Sequence, residues 1–154
     1  MLKERKRNMV IKKELLLDVE IKKIYDDMSD VNFFNKILDE NNKFNILYKK
    51  DRLIEYELNI NGVGKWISRR ILLPEKAMFI TERKSPSDPF EYMVILNIYE
   101  KYGNITKFIY KEEFEISKDN KEKKDEIYNN ISCVVNKNME ILGKYYGIVK
   151  ESVE

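Results

Sequence analysis

Between residues 44 and 116, apolar and polar positions alternate, and short polar turns break the alternation. Outside that stretch the apolar positions recur at helical spacing. The alternation predicts strands over 44–49, 53–60, 65–73, 78–84, 90–99 and 105–116, and residues 10–19 add an earlier strand centred on Leu15, Leu16 and Leu17. Asn61-Gly62 supplies the positive φ that a tight hairpin needs, and Tyr102-Gly103-Asn104 serves the last hairpin. Ser85-Pro86-Ser87-Asp88-Pro89 reads as a loop, because both prolines then lie outside any strand interior. Residues 20–38 read as a helix broken near Ser29-Asp30, with Asp30 as N-cap of the second piece. Residues 126–150 read as one long helix with a stripe through Ile127, Ile131, Val134, Val135, Ile141, Leu142, Tyr145, Tyr146 and Val149.

Hairpins flanked by helices predict an α+β fold. An antiparallel sheet buries one face and needs a cover, and the long C-terminal helix has one apolar face to offer. A sheet curled around that helix leaves room for an internal cavity. Residues 1–8 read as a basic, flexible tail, and 9–154 as a single domain.

Composition narrows the chemistry. The chain has 154 residues, no His and one Cys. Those absences remove Ser–His and Cys–His nucleophiles, a disulfide framework, and zinc sites built on His or Cys clusters. We expect no cofactor and no metal. Lys plus Arg is 29 against 27 for Asp plus Glu, a net +2, which points away from nucleic acid. No apolar run approaches the roughly 18 residues of a membrane span, and no secretory h-region follows the charged N-terminus. The expectation is a cytoplasmic protein. Cys133, Gly143 and Gly147 fall on the outer side of the last helix, where solvent is expected.

Strand parity then picks out polar residues on inward faces. In the last strand, Thr106, Phe108, Tyr110, Glu112, Phe114 and Ile116 share one side, so Glu112 is an inward carboxylate. Trp66, Ser68 and Arg70 share one face of an earlier strand, and Ile67, Arg69 and Ile71 share the other. Apolarity does not choose between these two faces. Asn138 falls about 20° from Ile131, inside the apolar stripe of the long helix. It either bonds to a sheet group or water, or meets a ligand. An inward Arg keeps its proton and needs an anion, a polar ligand or trapped water.

These residues bring a family into view. Trp66-Ile67-Ser68-Arg69-Arg70, then Arg83, then Pro89-Phe90-Glu91-Tyr92-Met93, then Asn136-Lys137-Asn138 resemble the polyketide aromatase/cyclases of the START-like, helix-grip superfamily. The resemblance runs from the first strand to the last helix. It implies a curved antiparallel sheet gripping the C-terminal helix, two short helices after the first strand, and a deep cavity. It also implies that Trp66, Ser68 and Arg70 face inward. The implied substrate is a linear poly-β-ketone on an acyl carrier protein, led through aldol cyclisation and dehydration to an aromatic ring. By the same match, Arg70 holds a ketone or enolate oxygen. Trp66, Ser68 and Arg83 line the pocket, with Phe90, Tyr92 and Met93 near its mouth. The family's frequent Trp-Pro after the first helix is Phe33-Phe34 here.

Parity nominates Glu112 as the proton shuttle, with Tyr110 second. Phe33, Phe108 and Asn138 complete the candidate lining. The rival reading is a non-catalytic carrier for a lipid, quinone or other hydrophobic molecule, since fold alone does not decide function. Either a monomer or a homodimer is compatible with the sequence.

Overall fold

The computed structural model describes residues 9–37, 42–60 and 64–150. The basic tail and the Asn61-Gly62 turn lie outside these residues. Among the described residues, seven strands form one antiparallel sheet: β1 (Met9–Leu17), β2 (Asn42–Lys50), β3 (Leu53–Ile60), β4 (Gly64–Leu73), β5 (Met78–Arg83), β6 (Phe90–Tyr102) and β7 (Ile105–Ile116). Their order is β1-β7-β6-β5-β4-β3-β2. Three α-helices complete the described residues: α1 (Ile21–Ser29), α2 (Val31–Ile37) and α3 (Lys124–Tyr146). This is the expected α+β helix-grip arrangement. None of the described helices is long and apolar enough to cross a membrane.

The topology explains the two small helices. β1 and β2 follow each other in the chain yet occupy opposite edges of the sheet. The α1–α2 pair carries the chain between those edges and closes one end of the curve. Asp30 caps α2 by accepting the Asn32 backbone N–H at 3.0 Å. Asn35 fastens α2 to β2 through both of its amide atoms: Nδ2 donates to the Phe44 carbonyl at 2.9 Å, and Oδ1 accepts the Phe44 N–H at 2.8 Å. A side-chain amide thus behaves as one more backbone unit on the sheet edge.

The inner face holds the core. Phe79, Phe108, Phe114, Leu17, Ile24 and Met28 are almost wholly shielded from solvent. Tyr99 stacks on Phe108 at 5.1 Å and meets Tyr25 edge-on at 5.8 Å. The α3 face differs from the expected stripe. Val135, Met139, Leu142 and Gly143 are buried, whereas Val134 and Tyr145 are about half exposed (47% and 52%). Val134 borders a hollow between helix and sheet, and Tyr145 lies outside it, against Phe33 and Tyr146. α3 also stops at Tyr146 rather than at Lys150, because Gly147 turns the chain at φ +89. The chain then runs back along β1, with Val149 N–H donating to Leu16 O at 2.9 Å. Gly143 is therefore buried and not solvent-facing: a Cβ there would lie 2.5 Å from Ile148 Cδ1.

One buried cation ties sheet to helix. Arg70 on β4 is 4% exposed. Its Nη1 donates to the Met28 carbonyl at 3.1 Å and the Ser29 carbonyl at 3.4 Å. These are last-turn carbonyls of α1, which lack intrahelical partners and carry the negative end of the helix dipole. α1 has no basic residue of its own in that turn. Arg70→Met orphans both carbonyls and should cost about 2–3 kcal/mol. The expected loss in thermal midpoint is about 4–12 °C, with faster amide exchange concentrated in the last turn of α1. An unchanged midpoint and unchanged exchange there would show that the cap carries no weight.

Candidate functional site

Between α3 and the concave face of the sheet lies a cavity of about 660 Å³. That is ample for a small-molecule ligand. Its walls are largely apolar and aromatic, with Phe34, Phe44, Phe90 and Phe108 among them. Asn130, Cys133 and Val134 of α3 border it, as do Leu58 and Ile60 of β3 and Pro89 of the preceding loop. Cys133, expected on an outer solvent face, is exposed and also borders this hollow.

Most of the predicted residues converge on this space. Trp66, Ser68 and Arg70 of β4, Arg83 of β5, Phe90 and Met93 of β6, Phe108, Tyr110 and Glu112 of β7, and Asn138 of α3 all line it. Two predicted residues do not. Tyr92 lies on the outer face of β6. The register of β6 against β7 shifts between Phe90 and Tyr92, and this irregularity lets Phe90 and Met93 both point inward across an odd spacing. Phe33 turns away from the cavity, stacking with Tyr146 at 6.3 Å and meeting Tyr145 edge-on at 5.4 Å. Its neighbour Phe34 faces the hollow instead. Sequence reasoning also missed Tyr56, Thr81 and Asn97, all of which border the cavity from inward strand positions. Their signal was parity with Arg70 and Tyr110 across the ladder, which required knowing the strand pairing.

The charged residues lining the hollow are Arg70, Arg83 and Glu112. Arg70 sits 4.4 Å from the centre of the Phe79 ring and 5.3 Å from that of Tyr56. Its remaining donors reach Thr81 Oγ1 at 3.4 Å and the Tyr56 hydroxyl at 3.5 Å. Most of its hydrogen-bonding capacity is thus taken by the protein. Arg83 is different. Its guanidinium lies 4.6 Å from the Trp66 ring centre and 5.5 Å from that of Phe90. Its Nε is buried without a hydrogen-bond partner among the described residues. Trp66 is itself fixed, because its Nε1–H donates to the Asp88 carbonyl at 2.9 Å.

Glu112 completes the set. It is 4% exposed. Its Oε1 accepts the Tyr110 hydroxyl hydrogen at 2.8 Å, and its Oε2 is buried with no partner among the described residues. Burial pushes the Glu112 carboxyl above its ordinary range, against the Tyr110 hydrogen bond and the field of Arg83, which pull it down. Burial, reinforced by Glu112, holds the Tyr110 phenol well above its usual value, so Tyr110 stays a donor. Burial also lowers the Arg83 guanidinium, with Glu112 opposing. Arg83 nonetheless stays protonated, since guanidinium does not ionise in proteins. Neither arginine forms an ion pair within 4.0 Å among the described residues. The arrangement offers a proton carrier, a phenolic donor and a cation with free N–H groups, all facing one apolar space.

No family model matches the sequence, and no curated protein is similar to it by sequence. The structure does have relatives. The Zhui aromatase/cyclase from a Streptomyces species, strain R1128, superposes with a TM-score of 0.75 at 15% identity, covering 90% of this chain and 93% of that one. The di-domain aromatase/cyclase StfQ of the steffimycin biosynthetic pathway gives 0.77 at 6% identity, and the match spans 90% of this chain and 50% of that one. Norcoclaurine synthase from Thalictrum flavum, in complex with dopamine and hydroxybenzaldehyde, gives 0.70 at 11% identity, with 94% of each chain covered. The resemblance to the START-like aromatase/cyclases read from the residues therefore holds for the architecture: this chain has the helix-grip fold that those enzymes share with norcoclaurine synthase.

Proposed function

We propose that the protein is a polyketide cyclase/aromatase that folds a carbonyl-rich chain in its cavity and directs aldol ring closure and dehydration. The observation that carries this reading is the buried Glu112 carboxyl, with one oxygen bonded to Tyr110 and the other free, in the same hollow as the unpaired Arg83.

The chemistry asked of the residues is modest. A methylene between two ketones is already acidic, so the cavity must chiefly hold it against the right carbonyl. Ionised Glu112 takes the methylene proton, and the electron pair moves onto the neighbouring ketone as an enolate. Arg83 donates to that enolate oxygen, and the nearby charge of Arg70 adds to the stabilisation. The enolate carbon attacks a second carbonyl carbon, forming the ring bond and an alkoxide. Glu112, now a carboxylic acid, returns its proton to the alkoxide. Dehydration uses the group in the same order: Glu112 removes a second α-proton, a carbon–carbon double bond forms as the β-hydroxyl departs, and Glu112 passes the proton to that hydroxyl, which leaves as water. A carboxyl raised by burial suits both directions. Trp66, Phe90 and Phe108 stack on the folded chain, Ser68 and Asn138 hold carbonyl oxygens, and Met93 fills the wall beside them. The chain arrives as a thioester on an acyl carrier protein, entering where Val134 of α3 borders the hollow. The protein acts in the cytoplasm.

Two experiments test this reading. With a purified carrier-bound poly-β-ketone, Glu112→Gln should slow directed cyclisation by about 10²–10⁴-fold, and Arg83→Gln by about 10²–10³-fold. Products then shift toward spontaneous rings. Wild-type rates and products from both variants would assign the fold to a carrier instead.

The second concerns stability. Burial holds folded Glu112 above its ordinary value of 4.5, so the folded chain binds this proton more tightly than the unfolded chain does. The stability it contributes is complete below that ordinary value and is lost as pH rises through the folded pKa. Glu112→Gln removes the dependence. Its thermal midpoint should gain on wild type as pH rises above the ordinary carboxylate range, and parallel curves would show that Glu112 is not desolvated.

A further inference from the structure

The charge balance of the hollow goes beyond the proposed reaction, because it concerns what the cavity holds when nothing reacts. Two permanent cations face it against one carboxyl. Arg70 spends its donors on Met28, Ser29, Thr81 and Tyr56. Arg83 has five N–H groups, and no hydrogen bond from it to a described residue occurs; its Nε is buried and unpartnered. Its guanidinium carbon lies 4.6 Å from the Trp66 ring centre and 5.5 Å from that of Phe90, and neither ring offers an oxygen acceptor to its N–H groups. A buried donor without an acceptor is costly, and Nε is such a donor, so the guanidinium calls for an acceptor that the described residues do not provide. Glu112 Oε2 is unpartnered in the same cavity. An anionic oxygen satisfies the first group, and a hydroxyl hydrogen satisfies the second. The aromatic walls require that both be carried by a flat molecule.

We infer that the cavity selects a flat aromatic acid, with its carboxylate at Arg83 and an adjacent hydroxyl at Glu112 Oε2, over the neutral molecule of the same shape. A ring-closed hydroxy acid of this class is the chemical form that a cyclised chain takes when freed of its thioester, so the site holds such a product after release.

Isothermal titration calorimetry with three probes tests this: 1-hydroxy-2-naphthoic acid, its methyl ester, and 2-naphthoic acid. The single tryptophan, Trp66, lines the site, so quenching of its fluorescence reports that the probe has entered the cavity. The hydroxy acid should bind at least about tenfold more tightly than the ester, which corresponds to about 1.4 kcal/mol, with 2-naphthoic acid between them. Arg83→Gln should erase the acid-over-ester preference, and Arg83→Lys should keep most of it, with circular dichroism confirming that both variants are folded. Should either variant fail to fold, the wild-type ranking of the three probes decides. Equal or tighter binding of the ester, no binding of the hydroxy acid at millimolar concentration, or a preference that survives Arg83→Gln would overturn the inference. Cyclisation is scored separately. A protein that prefers the acid but closes no ring refutes the reaction alone, and one that closes rings while preferring the ester refutes the inference alone.

Discussion

Everything distinctive in this molecule follows from placing permanent charge on the concave face of an apolar sheet. A guanidinium on such a face has to be satisfied by carbonyls, rings or a guest. Arg70 takes the first two routes together, and Arg83 has rings alone among the described residues. Arg70 collects the free carbonyls at the end of α1, so a wall of the cavity is also the clasp of its end cap. The helix pair that shapes one end of the hollow, through Met28 and Phe34, is therefore held by a residue of the hollow itself. Arg70 thus belongs to the site and to the packing of the fold at once.

Strand chemistry was legible in the sequence wherever one face was plainly polar. On β7 the outward positions carry Lys107, Lys111, Glu113 and Glu115, so Glu112 stood out as a carboxylate on the wrong side. On β4 both faces carry isoleucine or tryptophan beside an arginine, and apolarity had no preference. The structure buries Trp66, Ser68 and Arg70 and leaves Ile67 and Ile71 more than a third exposed on the convex side. Only the resemblance to a known family chose correctly there, because it brought spacing information that composition lacks.

The errors also have physical causes. The resemblance fails at Tyr92 because a register shift adds a residue, and nothing in Phe90-Glu91-Tyr92-Met93 announces it. Periodicity fails at Phe33 because α2 has seven residues, too few for two adjacent phenylalanines to be assigned to opposite sides. The helical wheel fails at Val134 and Tyr145 for a more useful reason. A wheel assumes that an apolar stripe meets protein along its full width. Val134 borders the hollow instead, whereas Tyr145, outside the cavity lining, rests against Phe33 and Tyr146. The Arg70 clasp was beyond any local reading, since its partners lie more than 40 positions away in the chain.

Why Arg83 and Glu112 share a cavity without joining is the last step. Opposite charges in an apolar space attract strongly, and direct contact would leave nothing for a ligand. The Asp88 carbonyl holds the Trp66 indole through its N–H. The indole in turn holds the guanidinium by stacking, with Phe90 on another side. Tyr110 occupies one oxygen of Glu112 with a neutral donor, which removes part of the carboxylate's demand for a cation. Two aromatic restraints and one phenol thus keep a charge pair apart inside the fold. Backbone at the loop before β6, the single tryptophan and the inward tyrosine of β7 all bear on that separation, and it leaves Arg83 Nε and Glu112 Oε2 both without a partner among the described residues in one cavity.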